Sequence, residues 1–171
     1  YDQLLIDTFD EYKYTEDEDE DDEPLPKDID ILFIGNINDR TKHITNKLKE
    51  DYLVVCIQEN TIDFFKLIYL MQRSKIVLNL CDNQDAPYFD YLHNAFYISN
   101  KIFFISELPE NYNYSKEQNL LGIKSNLAIA NYENIVNSIN IYFSLYNETL
   151  IKTFVDKSYD WFISNSAMTE K

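Results

Sequence analysis

Short, unbroken runs of apolar residues recur along the chain and alternate with segments of helical periodicity. The apolar runs, at 29–36, 52–58, 75–80, 101–106 and 127–130, are typical of strands covered on both faces. Segments with apolar residues at helical spacing follow at 39–50, 61–74, 87–100, 132–146 and 148–164. This order predicts an α/β fold, a single Rossmann-like parallel sheet with helices on both faces.

The unit from Lys75 to Glu107, a strand, a helix and a second strand, is the centre of this prediction. In open parallel sheets, ligands bind beyond the carboxyl ends of the strands. We therefore expect Asn79, Cys81, Asp82 and the start of the following helix to lie near any site.

The first strand ends in Gly35 and Asn36, and Asn38 is the predicted N-cap of the helix that begins at Asp39. A strand that runs through glycine into a helix N-terminus presents backbone N–H groups and a favourable dipole to phosphate. A simple tight turn has the same pattern, so both interpretations stay open.

Several other side chains have predicted places. Trp161 is expected to anchor the core, Asn131 to cap the helix after the last strand, and His43 to be solvated. The second helix is expected to present a broad apolar face made of Phe64, Phe65, Leu67, Ile68 and Leu70.

The net charge of −15 is unevenly distributed, because residues 1–28 hold 13 acids and two lysines and the remainder carries −4. Residues 16–23 are an unbroken acidic block. We predict an acidic arm or linker at 1–26, partly disordered, and one domain at 27–171. The block is either a solvated linker or a docking segment for a basic partner or a loose cation site.

Composition also disfavours several classes of function. No basic stripe is present, which disfavours nucleic-acid binding, and no apolar run approaches the roughly 18 residues of a membrane span.

Cys56 and Cys81 are expected to be free, buried thiols in a reducing, cytoplasmic compartment. The abundance of Asn, Ile, Lys and Tyr is typical of an AT-rich genome, such as that of a large DNA virus, so a place within a virion is a further expectation. No metal-ligand spacing and no nucleophile–base pair is readable, so catalytic residues stay unassigned.

Four stretches, in this order, resemble the donor-binding, Rossmann-like half of GT-B-type glycosyltransferases. They are KDIDILFIGNINDRTKHITNKLKE (27–50), SKIVLNLCDN (74–83), FDYLHNAFYISNKIFFISE (89–107) and LAIANYENIVNSINIYFSLYNETLIKTFVDKSYDWF (127–162). The resemblance implies a nucleotide-sugar site, with Gly35 and Asn36 close to the diphosphate and Asn79 to Cys81 lining the donor cleft. A Glu-x-x-Arg-type pair usually grips ribose and phosphate there, and Asp90 and His93 stand at the matching positions.

The chain departs from that family in three respects. Asp90 is shorter than Glu, and His93 replaces a permanently charged group, which would cost roughly 1.5–3 kcal/mol of phosphate binding. Cys81 stands where the family commonly has His. Only 26 residues precede Lys27, so we expect the acceptor half to come from elsewhere.

Two hypotheses follow. In the first, the chain is a glycosyltransferase-like domain for a nucleotide-sugar donor, without a separate cofactor, incomplete or degenerate as a catalyst by itself. A missing acceptor domain or another chain, docked through 1–26, would complete it. In the second, the inherited fold is a non-enzymatic structural or interaction component of a larger assembly, such as a virus particle.

Overall fold

Buried β-branched and aromatic residues form the strands, and amphipathic segments form the helices that cover them. The computed structural model describes residues 25–58, 61–83, 90–109 and 127–166. In chain order its elements are β1 (Ile29–Gly35), α1 (Asp39–Leu48), β2 (Val54–Gln58), α2 (Phe64–Arg73), β3 (Ser74–Asn79), α3 (Tyr91–Ser99), β4 (Phe104–Leu108), β5 (Ala128–Asn131), a 3₁₀ turn (Tyr132–Asn134), α4 (Ile135–Ser144) and α5 (Glu148–Ser166).

The described strands form one five-stranded, all-parallel sheet in the order β2-β1-β3-β4-β5. Phe33 of β1 is aligned with Cys56 of β2 on one side and with Leu78 of β3 on the other. The chain leaves β1 towards one face of the sheet and β3 towards the other, as the two core clusters below show. The carboxyl ends of β1 and β3 are therefore the topological switch point, where doubly wound sheets open a crevice.

Two apolar layers lie on opposite faces of the sheet. On one face, Ile44 of α1 and Ile135 and Ile139 of α4 are buried against the strands. On the other face, Met71 of α2 and Tyr97 of α3 are buried, and α5 packs alongside them. The predicted fold class, a Rossmann-like parallel sheet with helices on both faces, is confirmed.

Several local predictions need correction. Helix α2 begins at Phe64, because the Asp63 side chain accepts hydrogen bonds from the first free backbone N–H groups. Phe64 and Phe65 are then 57% and 70% exposed, so the apolar face of α2 is narrower than expected. Asn131 ends β5 and holds the N-cap position of the 3₁₀ turn, as predicted, but its side chain makes no capping hydrogen bond. Trp161 does pack against the core, half-buried.

The predicted cysteine environment is also partly wrong. Cys56 and Cys81 are free, as expected, but both are half-buried rather than buried. His43 is exposed, as expected. Of the predicted arm at 1–26, only Leu25 and Pro26 lie within the described residues, so the arm stays a prediction. In the part of the chain that the structure describes, no helix combines the length and the apolar character that crossing a bilayer requires.

Candidate functional site

The turn after β1 depends on a glycine and on the side chain of Asn36. Gly35 has φ +153°, which residues with a side chain rarely adopt, and a Cβ there would lie 3.3 Å from the Phe33 ring. Asn36 Oδ1 accepts a hydrogen bond from Gln58 Nε2 at 2.9 Å, and Asn36 Nδ2 donates to Asp82 Oδ2 at 3.3 Å. Asn36 thus joins the carboxyl ends of β1 and β2 to the loop after β3.

The amino terminus of α1, for which the sequence left a phosphate site and a simple turn both open, is capped by the side chains of Asn38 and Thr41. Asn38 Oδ1 accepts from Thr41 N, and Thr41 Oγ1 accepts from Asn38 N, each at 3.0 Å, so the predicted N-cap is confirmed as a capping box. Asn38 Nδ2 donates to the Asp82 carbonyl oxygen at 2.9 Å. Asp39 in the first turn and the nearby Asp82 carboxylate place negative charge there, which opposes an anionic ligand.

Three of the five predicted site residues meet at the start of α3. Asp90 is the N-cap of α3, and its Oδ1 accepts from the His93 backbone N–H at 3.2 Å. Its Oδ2 lies 2.7 Å from His93 Nδ1 and 3.4 Å from Asn79 Nδ2. Burial disfavours the charged carboxylate, but hydrogen bonds from His93 outweigh it and hold the pKa of Asp90 below its usual range. Asp90 therefore stays ionised and fixes the orientation of the imidazole. The other two differ in place: Gly35 ends the neighbouring strand, β1, and Asn36 follows it.

A cluster of buried polar side chains contacts Asp90 from the interior of the domain. Asn79, at the end of β3, donates to Asn94 Oδ1 at 3.1 Å and lies 3.3 Å from Ser106 Oγ of β4. Asn94 is only 2% exposed, and its Nδ2 has no hydrogen-bond partner among the described residues. The Asn79 side chain thus faces the interior beneath α3 and is buried itself.

A largely buried ion pair, which the sequence analysis did not predict, connects α1, β4 and the loop after β3. Arg40 of α1 donates through both terminal nitrogens to Glu107 at the end of β4, with Nη1 2.8 Å from Oε2. Arg40 Nη1 also donates to the Cys81 carbonyl at 2.7 Å, while Glu107 Oε2 accepts from Cys81 N at 2.9 Å. The guanidinium lies 3.9 Å from the centre of the Tyr132 ring. Arg40 and Glu107 therefore hold the loop after β3 in place.

A pocket of about 240 Å³ opens beside the Asp90–His93 pair, between α2 and α3 at the carboxyl edge of the sheet. Two polar side chains, Gln58 and His93, contribute to its lining. Its other walls are aliphatic or aromatic: Ile34, Ile57, Ile62, Phe64, Leu67, Met71, Phe96 and Tyr97. A mixed lining of this kind suits an organic ligand that has an apolar ring and a few polar groups.

No side chain of the described region stands out as a nucleophile. Burial, with Glu107 adding to it, raises the pKa of the Cys81 thiol to about 12, so this cysteine is protonated at neutral pH. No group of three or more His, Cys, Asp or Glu residues in the described ranges is arranged to hold a metal ion.

Four residues at the crevice were missed by the sequence analysis: Gln58, Arg40, Ser106 and Glu107. Three of them carry a readable signal, because Gln58, Ser106 and Glu107 are polar residues at the carboxyl ends of apolar runs. Arg40 carries none, since the partner of a helical arginine 67 residues away cannot be read from spacing.

Comparison with known proteins identifies no relative. No family model matches the chain, and no curated protein and no solved structure matches it either. The likeness to GT-B glycosyltransferases therefore rests on the residues alone and stays a prediction.

Proposed function

We propose that this chain is a nucleotide-sugar-binding domain related to the donor half of GT-B-type glycosyltransferases, and that a second domain or chain supplies the acceptor side. The observation that carries the proposal is the pocket at the carboxyl edge of the sheet, with the Asp90–His93 pair beside it. Parallel α/β sheets bind nucleotides at this edge.

The size and lining of the pocket favour the nucleoside part of such a donor. A volume of about 240 Å³ lies just below the ~300 Å³ at which pockets for drug-sized ligands begin. A base would pack against the aromatic and aliphatic walls, among them Phe64 and Phe96, while Gln58 and His93 offer hydrogen bonds. The diphosphate and the sugar would lie outside the pocket, over the open end of the sheet.

Asp90 and His93 would each bind a different polar group of the donor. A carboxylate has about four acceptor positions, and described residues occupy three of those on Asp90. The remaining acceptor capacity suits a ribose hydroxyl. His93, held by Asp90, would contact the phosphate that becomes the leaving group, where a hydrogen bond to developing negative charge assists glycosyl transfer.

Calorimetric titration of the chain with UDP-, GDP- and dTDP-sugars tests this proposal. We expect one donor to bind, and the variant His93→Ala to weaken its affinity about tenfold or more, as loss of a hydrogen bond to a charged group does. His43→Ala is the matched control, because His43 is the other histidine and is exposed on α1. Equal affinity for the two variants, or no binding of any donor to the folded protein, would refute the proposal.

One observation favours the second candidate, a non-enzymatic interaction module. Arg40, a cation in the first turn of the helix after β1, is paired with Glu107. Asp39 and Asp82 stand where a diphosphate would need positive charge. In that case the exposed rings of Phe64 and Phe65 would form part of a contact surface for another protein. Failure of every donor to bind would leave this candidate in place.

A further inference from the structure

A second cavity, of about 560 Å³, lies at the opposite, amino-terminal edge of the sheet. Lys27 precedes β1, Lys75 is the second residue of β3, and Phe103 precedes β4, so the cavity opens at the amino-terminal ends of the three central strands. The start of α5 forms its other side. Its charged lining residues, which we call the lysine groove, are Lys27, Lys75, Lys101, Lys152, Glu148 and Asp156.

The lysine groove is positive in a chain that is strongly negative. Its lining holds four lysines against two acids, whereas the whole chain carries −15. Two of the lysines are already paired, Lys101 with Asp156 at 3.1 Å and Lys75 with Asp30 at 2.7 Å. Lys27 instead donates to the backbone carbonyl of Ser74 at 2.9 Å. Lys152 is exposed on α5. Lys27 and Lys152 are therefore the cationic groups that the groove offers most directly to an anionic partner.

The acidic block at 16–23 is close in sequence to two residues that line this groove. Leu25 and Pro26 line the groove, and the block 16–23 ends two residues before Leu25. At 3.3–3.6 Å per residue, Glu23 lies within roughly 7 Å of Leu25, and Glu16 within roughly 32 Å. The whole block can therefore reach the groove without any rearrangement of the domain.

We propose that residues 16–23 dock in the lysine groove of their own chain, as an electrostatic strap across the amino-terminal edge of the sheet. Tethering favours this occupant over a free anion, because a short linker gives an effective concentration in the millimolar range. Desolvation lowers the pKa of Lys27 and Glu148 only partly offsets this, so a further carboxylate would stabilise the charged form. A basic partner protein would have to compete with the groove for the same segment.

Zero-length carbodiimide cross-linking of carboxylates to lysines tests the strap. An equal mixture of ¹⁵N-labelled and unlabelled full-length chain separates cross-links within a chain from those between chains, by mass spectrometry. We expect residues 16–23 to link to Lys75, Lys101 or Lys152 within one chain. Links to Lys27 are uninformative, because it is close in sequence. The yield should fall several-fold between about 0.01 M salt, where the Debye length is about 30 Å, and about 1 M, where it is about 3 Å.

Lys42 is the internal control. It is exposed in the first turn of α1, at the opposite edge of the sheet. Links from 16–23 that are as frequent to Lys42 as to the groove lysines, or that form only between labelled and unlabelled chains, would overturn the proposal. So would a complete absence of links to Lys75, Lys101 and Lys152.

A variant with all eight acids of 16–23 changed to Gln or Asn gives a second readout. Compared with the parent chain, it should shift the backbone amide resonances of Lys101 and Lys152 in ¹⁵N spectra at low salt, and leave that of Lys42 unchanged. The substitutions change no residue of the described helices and strands. Identical resonances for Lys101 and Lys152 in the two proteins would contradict docking.

Discussion

Replacement of Arg40 by methionine should destabilise the domain more than any exposed charge change. Glu107 is 3% exposed and Arg40 18%, so the pair is largely withdrawn from water. Met keeps an apolar stem of similar length over the Tyr132 ring, but it leaves the Glu107 carboxylate without its counter-charge. Loss of one partner of a buried ion pair typically costs about 3–5 kcal/mol. Because water reaches part of Arg40, we expect the lower end, about 3 kcal/mol.

This free energy corresponds to a readily measured change in melting temperature. For a chain of this size, each kcal/mol lowers Tm by roughly 2–4 °C, so Arg40→Met should melt about 6–12 °C below the parent. Urea unfolding should show a lower midpoint. The slope of the free energy of unfolding against urea concentration should not change, because the surface exposed on unfolding is the same. Lys42→Met, exposed on the same helix, is the control and should change stability by less than about 0.5 kcal/mol.

The double variant Arg40→Met/Glu107→Gln separates charge loss from loss of packing. A glutamine at 107 is neutral, and its amide can accept from Cys81 N and donate to Cys81 O, the two backbone groups that the ion pair now satisfies. We expect the double variant to recover all but about 1–2 kcal/mol of stability. A cost for Arg40→Met below about 1 kcal/mol, or a double variant no more stable than Arg40→Met alone, would refute the reasoning.

Three further predictions concern stability, and urea unfolding measures each. Gly35→Ala should cost about 1–3 kcal/mol, because the positive φ is retained only by strain and the new Cβ meets the Phe33 ring; no change in midpoint would contradict this. Asp90→Ala should cost about 0.5–2 kcal/mol through loss of the N-cap of α3, and a cost near zero would show that the cap is dispensable. The pKa of Asp28 is lowered by its hydrogen bonds from Arg73, so its stabilising effect is complete above the unfolded-state value of 3.8 and is lost as the pH falls through the folded-state pKa. Asp28→Asn should therefore destabilise at pH 7 but unfold like the parent at low pH; an equal deficit at both pH values would contradict the assignment.

The fold was predictable because apolar runs and helical periodicity report burial directly. The runs that became β1 to β4 are largely buried, whereas the edge strand β5 is mostly half-buried. Such buried apolar runs are typical of a parallel sheet whatever the function. Boundaries were less accurate where single side chains decide them. Helix α2 begins where Asp63 caps it, and β4 begins at Phe104 because Lys101, at φ +54°, turns the chain after α3.

The candidate site was predictable only in part. Asn79 and the Asp90–His93 spacing could be read locally, because all three lie within one βαβ unit and the strand end positions them. The bond between Arg40 and Glu107 could not, because it joins two elements on either side of the sheet's centre that no local pattern connects. Pairings of this long-range kind decide whether a charged residue is available to a ligand.

The most direct measurement for the proposed function is a series of ¹⁵N spectra of the full chain, titrated with the nucleoside diphosphates UDP, GDP and dTDP. Nucleotides are anions and could also enter the lysine groove, so the location of the response matters as much as its size. If the pocket is the nucleotide site, one nucleotide will shift the amide resonances of Gln58, His93 and Phe96, which line it. Shifts confined to Lys27, Lys101 and Lys152, or no shifts with any nucleotide, would contradict a nucleotide site at the carboxyl edge of the sheet.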